Sequence, residues 1–180
     1  MDVFELLNQT IAHPALDAVL PVWREKTTWV PAYLVVAALL WRRYGWRRTL
    51  YLLVAVGVTV AVADQLAASV IKPWAGRLRP CATPGLVVRE LVGCGGRWSF
   101  PSNHATNHFA VATLLALTWL GRAHWAWRLL LFAWAASISL AQVYVGKHWP
   151  GDIVVGAALG MAVAVGVGAA YRRLAGGDSI

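Results

Sequence analysis

Three short polar clusters interrupt an otherwise apolar chain: Lys72 to Pro80, Pro101 to His104 and His148 to Asp152. The first holds Lys72, Arg77 and Arg79 among Pro73, Gly76 and Pro80, residues that bend a backbone and let cations converge on one anion. Arginine forks onto phosphate oxygens, while lysine supplies a compact charge. In the second, Pro101 and Ser102 precede an apolar segment that begins near Asn103 or His104. A helix starting there leaves N–H groups without partners and a partial positive charge, both suited to phosphate. In the third, His148 stands four residues before Asp152. On a helix the two would share a face, and such a pair fixes the imidazole tautomer. Cations, two histidines and a carboxylate are what phosphoryl transfer through a phosphohistidine needs. Taken singly, each cluster is equally a set of lipid-facing charges, a plain N-cap or a capping pair.

The elements that must position these residues are membrane spans. Of 180 residues, 59% are hydrophobic and only 13% charged, which argues against a water-soluble globule. Thr49–Ile71 and Ile153–Tyr171 match the ~20 residues a bilayer crossing requires. Ala105–Leu120 and Leu129–Val145 are shorter spans, and Trp29–Trp41 borrows from its flanks. The expected fold is therefore all-α: one domain over residues 1–180, a polytopic bundle of about five transmembrane helices. An N-terminal interfacial helix precedes it, carried by Val3, Phe4, Leu6, Leu7 and Ile11 and broken at Pro14. Acidic Asp2 and Glu5, with no basic start, exclude a signal peptide.

The net charge of +8 is spread over span flanks, so anionic lipid is the expected partner and nucleic acid is not. Five spans divide the basic residues evenly between the two sides. Arg42, Arg43, Arg47, Arg48, Arg122, Arg128, Arg172 and Arg173 lie in short loops, the usual cytoplasmic pattern. The other side carries the three clusters together with Arg24 and Lys26, and is expected to face outward. Cys81 and Cys94 fall there too, either as a disulfide of an oxidising compartment or as two free thiols. His104, His108, His148 and Asp152 form a conceivable zinc set that the neighbouring cations disfavour.

The three clusters, in this order and on one side, resemble the type 2 phosphatidic acid phosphatase family. That pattern is lysine, six residues, Arg-Pro; then Pro-Ser-x-His; then arginine, five residues, histidine, three residues, aspartate. Lys72–Pro80 and Pro101–His104 fit the first two parts, and His148 with Asp152 the end of the third. The resemblance implies a membrane lipid phosphatase with His148 as nucleophile, Asp152 as its orienting partner and His104 as general acid and base. Lys72, Arg79, Ser102 and the backbone N–H groups near Asn103 would hold phosphate, and no metal or cofactor would take part. Where the family has its last arginine this chain has Gln142, so Lys147 or Arg77 is the expected replacement cation. The expected setting is a bacterial cytoplasmic membrane with the site outside. Undecaprenyl diphosphate is the first choice of substrate, and phosphatidic acid, phosphatidylglycerol phosphate and lipid A phosphates are the others. Trp74, Trp98, Tyr144 and Trp149 are expected to line the lipid entrance. The alternative is a non-catalytic lipid-phosphate binder or transporter with a degenerate site. The sequence leaves the oligomeric state open.

Overall fold

A computed structural model describes residues 2–119 and 125–174. Leu120, Arg122 and His124 lie outside them. In chain order the helices are α1 (Val3–Glu5), α2 (Pro14–Trp23), α3 (Val30–Gln65), α4 (Lys72–Ala75), α5 (Asn103–Thr118), α6 (Trp125–Tyr144) and α7 (Pro150–Leu174). A single antiparallel bridge, Leu78 to Trp98, is the nearest thing to a sheet among the described residues.

Among the described residues three stretches are long and apolar enough to cross a membrane: Lys26–Ala75, Trp125–Tyr144 and Pro150–Arg173. The first contains 50 residues, which would rise about 75 Å as one straight helix, far beyond a ~30 Å hydrocarbon layer. Gly45 resolves this. Its φ of 79° and ψ of 165° break the helix into two arms, the two spans expected on either side of residue 45. At its other end α3 runs on into the wide π-type turns Leu66–Ile71 and then α4. The remaining expected span is α5, whose 16 residues rise only about 24 Å. It packs against α3, α6 and α7, which enclose it.

The chain turns its ordinary amphipathic logic outward. Leu34, Val35, Leu39, Leu53, Val54, Val58, Val154 and Val165 are exposed on helix surfaces, where lipid rather than water suits them. The interior is built from small residues: Ala55, Ala63, Ala110 and Ala164 pack around Leu114. Between apolar chains in lipid there is little hydrophobic drive, so close backbone approach does the work. Gly156 and Gly160, one turn apart on α7, permit that approach. A Cβ on Gly160 would lie 2.0 Å from the Thr106 carbonyl oxygen, and one on Gly156 2.7 Å from that of Ser102. Both obstacles are backbone and cannot swing aside. Gly160→Ala is therefore expected to cost about 2–3 kcal/mol of stability. Gly57→Ala, where a Cβ meets nothing within 4 Å, should not destabilise. Thermal unfolding in detergent distinguishes them; equal midpoints for the two variants would refute the close-packing account.

The N-terminal segment does more than lie along an interface. Asp2 caps α1, accepting from the amides of Phe4 and Glu5. Beyond α1 the chain passes through the π-type turn Leu6–Thr10. There the buried Asn8 donates to the carbonyls of Arg89 and Tyr144 and accepts from the Arg89 amide. Phe4 is buried against Trp149, with ring centroids 5.0 Å apart. The Arg89 guanidinium grips Asp17 of α2 through both carboxylate oxygens, at 2.8 and 2.7 Å. These contacts bind the N-terminal segment, the long 76–102 connection and the end of α6 into one cap over the helix ends. Cys81 and Cys94 close a disulfide across that connection.

Candidate active site

α7 begins at Pro150, so Asp152 falls in its first turn and His148 lies just ahead of the helix. The pair therefore meets through a capping turn rather than along a helix face, contrary to the expectation from spacing. The Asp152 Oδ2 accepts from the Trp149 amide at 2.8 Å, tying the turn, and stands 3.4 Å from His148 Nδ1. Its Oδ1 accepts from Arg77 Nη1 at 3.1 Å. The Asp152 carboxylate is wholly buried, and each oxygen faces a donor, as a buried charge requires.

With Nδ1 turned to Asp152, the other imidazole nitrogen faces the first cluster: His148 Nε2 is 3.3 Å from Arg79 Nη1. Arg79 also donates to the carbonyls of Gly96 and Lys147. Its position is set by the bridge beside it, where the Arg79 amide donates to the Arg97 carbonyl at 3.2 Å. Burial pushes the Arg79 guanidinium below its ordinary value; nearby Asp152 opposes this and Arg24 adds to it. Lys72 at the start of α4 donates to the carbonyls of Ser99 and Pro101, which anchors it beside the second cluster.

His148 is 2% exposed. Burial above all lowers its pKa to about 4; Arg79 and Lys72 push the same way, while the hydrogen bond and charge of Asp152 oppose them. The sign favours nucleophilic work. A ring whose folded pKa lies below the ordinary 6.5 is neutral throughout pH 5–8, so its Nε2 lone pair is available without prior deprotonation. NMR of imidazole-labelled protein should show the signal that disappears in His148→Ala titrating near pH 4. A midpoint between 6 and 7 would overturn this.

The second cluster forms the start of α5 as its residues dictate. Ser102 is fully buried; its Oγ accepts from the Ala105 amide and its own amide donates to the Asp152 carbonyl at 3.0 Å. That last bond joins the starts of α5 and α7. The first α-helical bond runs from Thr106 N–H to Ser102 O, so the amides of Asn103 and His104 precede it and are left for an anion. The Asn103 side chain turns elsewhere. Its Nδ2 donates to Asp64 Oδ1 at 2.8 Å, and so does Asn107 Nδ2. Asp64 thus serves these two amides of α5. His108 Nδ1 donates to the His104 carbonyl at 2.7 Å, and the two rings lie parallel with centroids 6.3 Å apart.

Of the candidate replacements for the missing arginine, Arg77 binds Asp152 and stacks over Trp149, so it is already engaged. Lys147 is half-buried, and its pKa is lowered by burial and then by Arg24 and Arg79. The cation that meets Gln142 lies outside the three clusters. Arg24, 5% exposed at the C-terminal end of α2, donates from Nε to Gln142 Oε1 at 3.1 Å. The Gln142 main-chain oxygen accepts from the amides of Lys147 and His148, at 3.0 and 3.2 Å, so this residue also holds the loop that carries His148. Tyr144, expected at a lipid entrance, is instead buried, with its hydroxyl donating to Asp17 at 2.6 Å. Trp149 is likewise held, its indole N–H donating to the Leu78 carbonyl. Trp74 is 85% exposed.

Membrane-crossing helices with cations and two histidines gathered at their ends define a membrane phosphatase, and the chain belongs to the PAP2 superfamily, whose family model matches residues 48–174. Among individual relatives, the lipid A 4'-phosphatase of Bacteroides thetaiotaomicron is 35% identical over 155 residues, covering 83% of this chain and 67% of the relative. The lipid A 4'-phosphatase of Porphyromonas gingivalis is 28% identical over 165 residues, covering 90% and 68%. The crystal structure of Aquifex aeolicus LpxE superposes with a TM-score of 0.67 at 24% identity, covering 92% of each chain. The PAP2-type phosphatidylglycerolphosphate phosphatase of Bacillus subtilis gives 0.64 at 22% identity over 91% of this chain and 80% of that one. At these identities the two crystal structures attest the fold alone.

Proposed function

We propose that this protein removes a phosphate monoester from a glycolipid of the lipid A class, through a phosphohistidine, at the outer face of a bacterial cytoplasmic membrane. The observation that carries the chemistry is the orientation of His148: Nδ1 toward Asp152 and Nε2 toward Arg79. Nε2 attacks phosphorus in line, forming a P–N bond as the P–O bond to the lipid breaks. His104 gives its proton to the departing oxygen, then takes one from the water that cleaves the P–N bond and releases inorganic phosphate. Lys72, Arg79, Ser102 and the first-turn amides of α5 hold the non-bridging oxygens. None of these steps assigns a task to a metal or cofactor.

The substrate class is supported by two relatives described as lipid A 4'-phosphatases. They favour a sugar-borne monoester over undecaprenyl diphosphate. The outward-facing site is supported by the Cys81–Cys94 disulfide on the same side as the clusters, since such bonds persist in oxidising compartments. The arginines of the short loops, Arg42, Arg43, Arg47 and Arg48 among them, fit the opposite, cytoplasmic side.

The test is phosphate release by purified protein in detergent containing EDTA. Lipid A, phosphatidic acid, phosphatidylglycerol phosphate and undecaprenyl diphosphate are offered side by side, with His148→Ala as control. Release from lipid A, faster than from the others and lost in the variant, is expected. Faster release from undecaprenyl diphosphate would reassign the substrate. Activity that vanished with EDTA would end the metal-free mechanism, and inactivity toward every lipid would point to a binder.

A further inference from the structure

We propose that Arg24 and Gln142 act together as one phosphate clamp, Arg24 supplying the charge and Gln142 the directed hydrogen bond. This rests on the phosphatase reading of the same site.

An arginine that is 5% exposed needs an anion, and among the described residues the only carboxylate bonded to Arg24 is its neighbour Glu25, at 2.5 Å and with a side chain 46% exposed. Its other surroundings make burial worse. The Arg24 charge bears on Arg79 and on Lys147, and it reaches His104. Asp152, the buried carboxylate of the site, is taken by Arg77, the Trp149 amide and His148. Arg24, Arg79 and Lys147 are therefore gathered near His104 and His148, offset in part by Glu25 and Glu90. A bound phosphate, with up to two negative charges, balances them.

Gln142 points the same way. It is fully buried, and because Arg24 can only donate, the amide must turn Oε1 toward it. The Nε2 end is then left without a hydrogen-bond partner. A buried donor without an acceptor is unfavourable unless a ligand supplies one. The residue holding this orphaned donor also binds the His148 amide through its main chain. Arg24 is in turn positioned from outside the three clusters. Trp23 donates from its indole to Ser137 Oγ on α6 at 3.0 Å, and Trp29 packs edge-on against both Trp23 and Trp134. The N-terminal segment thus delivers a cation where α6 presents an amide.

The experiment uses the full chain in detergent and measures competitive inhibition by inorganic phosphate, with kcat and KM for the lipid the wild type hydrolyses. Arg24→Gln is expected to weaken phosphate binding at least about tenfold and to raise KM. The swap Arg24→Gln with Gln142→Arg moves the charge across the contact while keeping the pair's composition. It should bind phosphate within about threefold of wild type. A merely structural Arg24 predicts the reverse: a lowered thermal midpoint with unchanged phosphate inhibition in the folded fraction. Unchanged inhibition in folded Arg24→Gln, or a folded swap no better than the single variant, would sink the clamp. Should the wild type release no phosphate from any lipid, the phosphatase reading fails separately. Thermal stabilisation by inorganic phosphate, compared between wild type and Arg24→Gln, then still decides whether Arg24 binds the anion.

Discussion

His148→Ala is expected to reduce phosphate release by at least about 10⁴-fold while leaving the affinity for inorganic phosphate within about threefold. The split follows from geometry. In the proposed mechanism the imidazole contributes the attacking nitrogen, whereas charge neutralisation comes from Lys72, Arg79 and Arg24, of which only Arg79 touches the ring. Arg79 keeps its bonds to the Gly96 and Lys147 carbonyls when the ring is gone, and Lys72 keeps those to Ser99 and Pro101. A folded variant that also lost phosphate affinity would mean that His148 is a binding group and another residue attacks. Full activity in the variant would end the phosphohistidine mechanism. Rapid quenching of wild type with phosphorus-labelled lipid should trap an acid-labile, alkali-stable protein adduct that is missing from His148→Ala.

The groups around His148 were legible because each sits in a short stretch whose local structure its own sequence determines. Pro150 starts a helix, so Asp152 must fall in its first turn; Ser102 caps the next helix start, so His104 and two free amides follow. The spans were legible because long apolar runs match a bilayer, and even the 50-residue stretch divides at a glycine. The spacing of His148 and Asp152 left two geometries open, since a pair four residues apart can close across a capping turn as well as along a helix, and the structure takes the first. Arg24 was not legible at all. It stands 118 residues from Gln142, and only the tertiary packing of α2 on α6 joins them. Its one hint was its place among the basic residues on the side of the clusters. Asn103 shows the same limit: the helix start makes its backbone N–H legible, but the Asp64 partner of its side chain lies on another helix. Gly156 and Gly160 carried a signal that was readable, small residues one turn apart in an apolar span.

Asp152→Asn should be nearly as damaging as removal of the nucleophile, about 10³–10⁴-fold in kcat, though it changes the side chain's shape very little. In the proposed mechanism the carboxylate, which can only accept, favours the proton of His148 on Nδ1 across the 3.4 Å between them and leaves the Nε2 lone pair on the side of Arg79. An asparagine placed the same way can present its NH₂ to Nδ1, which favours the opposite tautomer and puts a proton on the attacking nitrogen. The Trp149 amide and Arg77 still need acceptors, and one amide oxygen cannot replace two carboxylate oxygens. The capping turn therefore weakens as well, lowering the thermal midpoint by a few degrees through loss of about 1–2 kcal/mol. The readout that separates tautomer from fold is the phosphoenzyme: in Asp152→Asn its formation should slow while KM and phosphate inhibition move little. A variant that kept at least a tenth of wild-type kcat would show that the carboxylate serves the turn alone. Unlike the loss of the ring, this defect leaves His148 in place, so residual activity should rise with pH only if deprotonation of the ring, rather than its tautomer, were limiting. Because burial already holds His148 neutral above about pH 4, the residual rate should instead stay flat from pH 6 to 8.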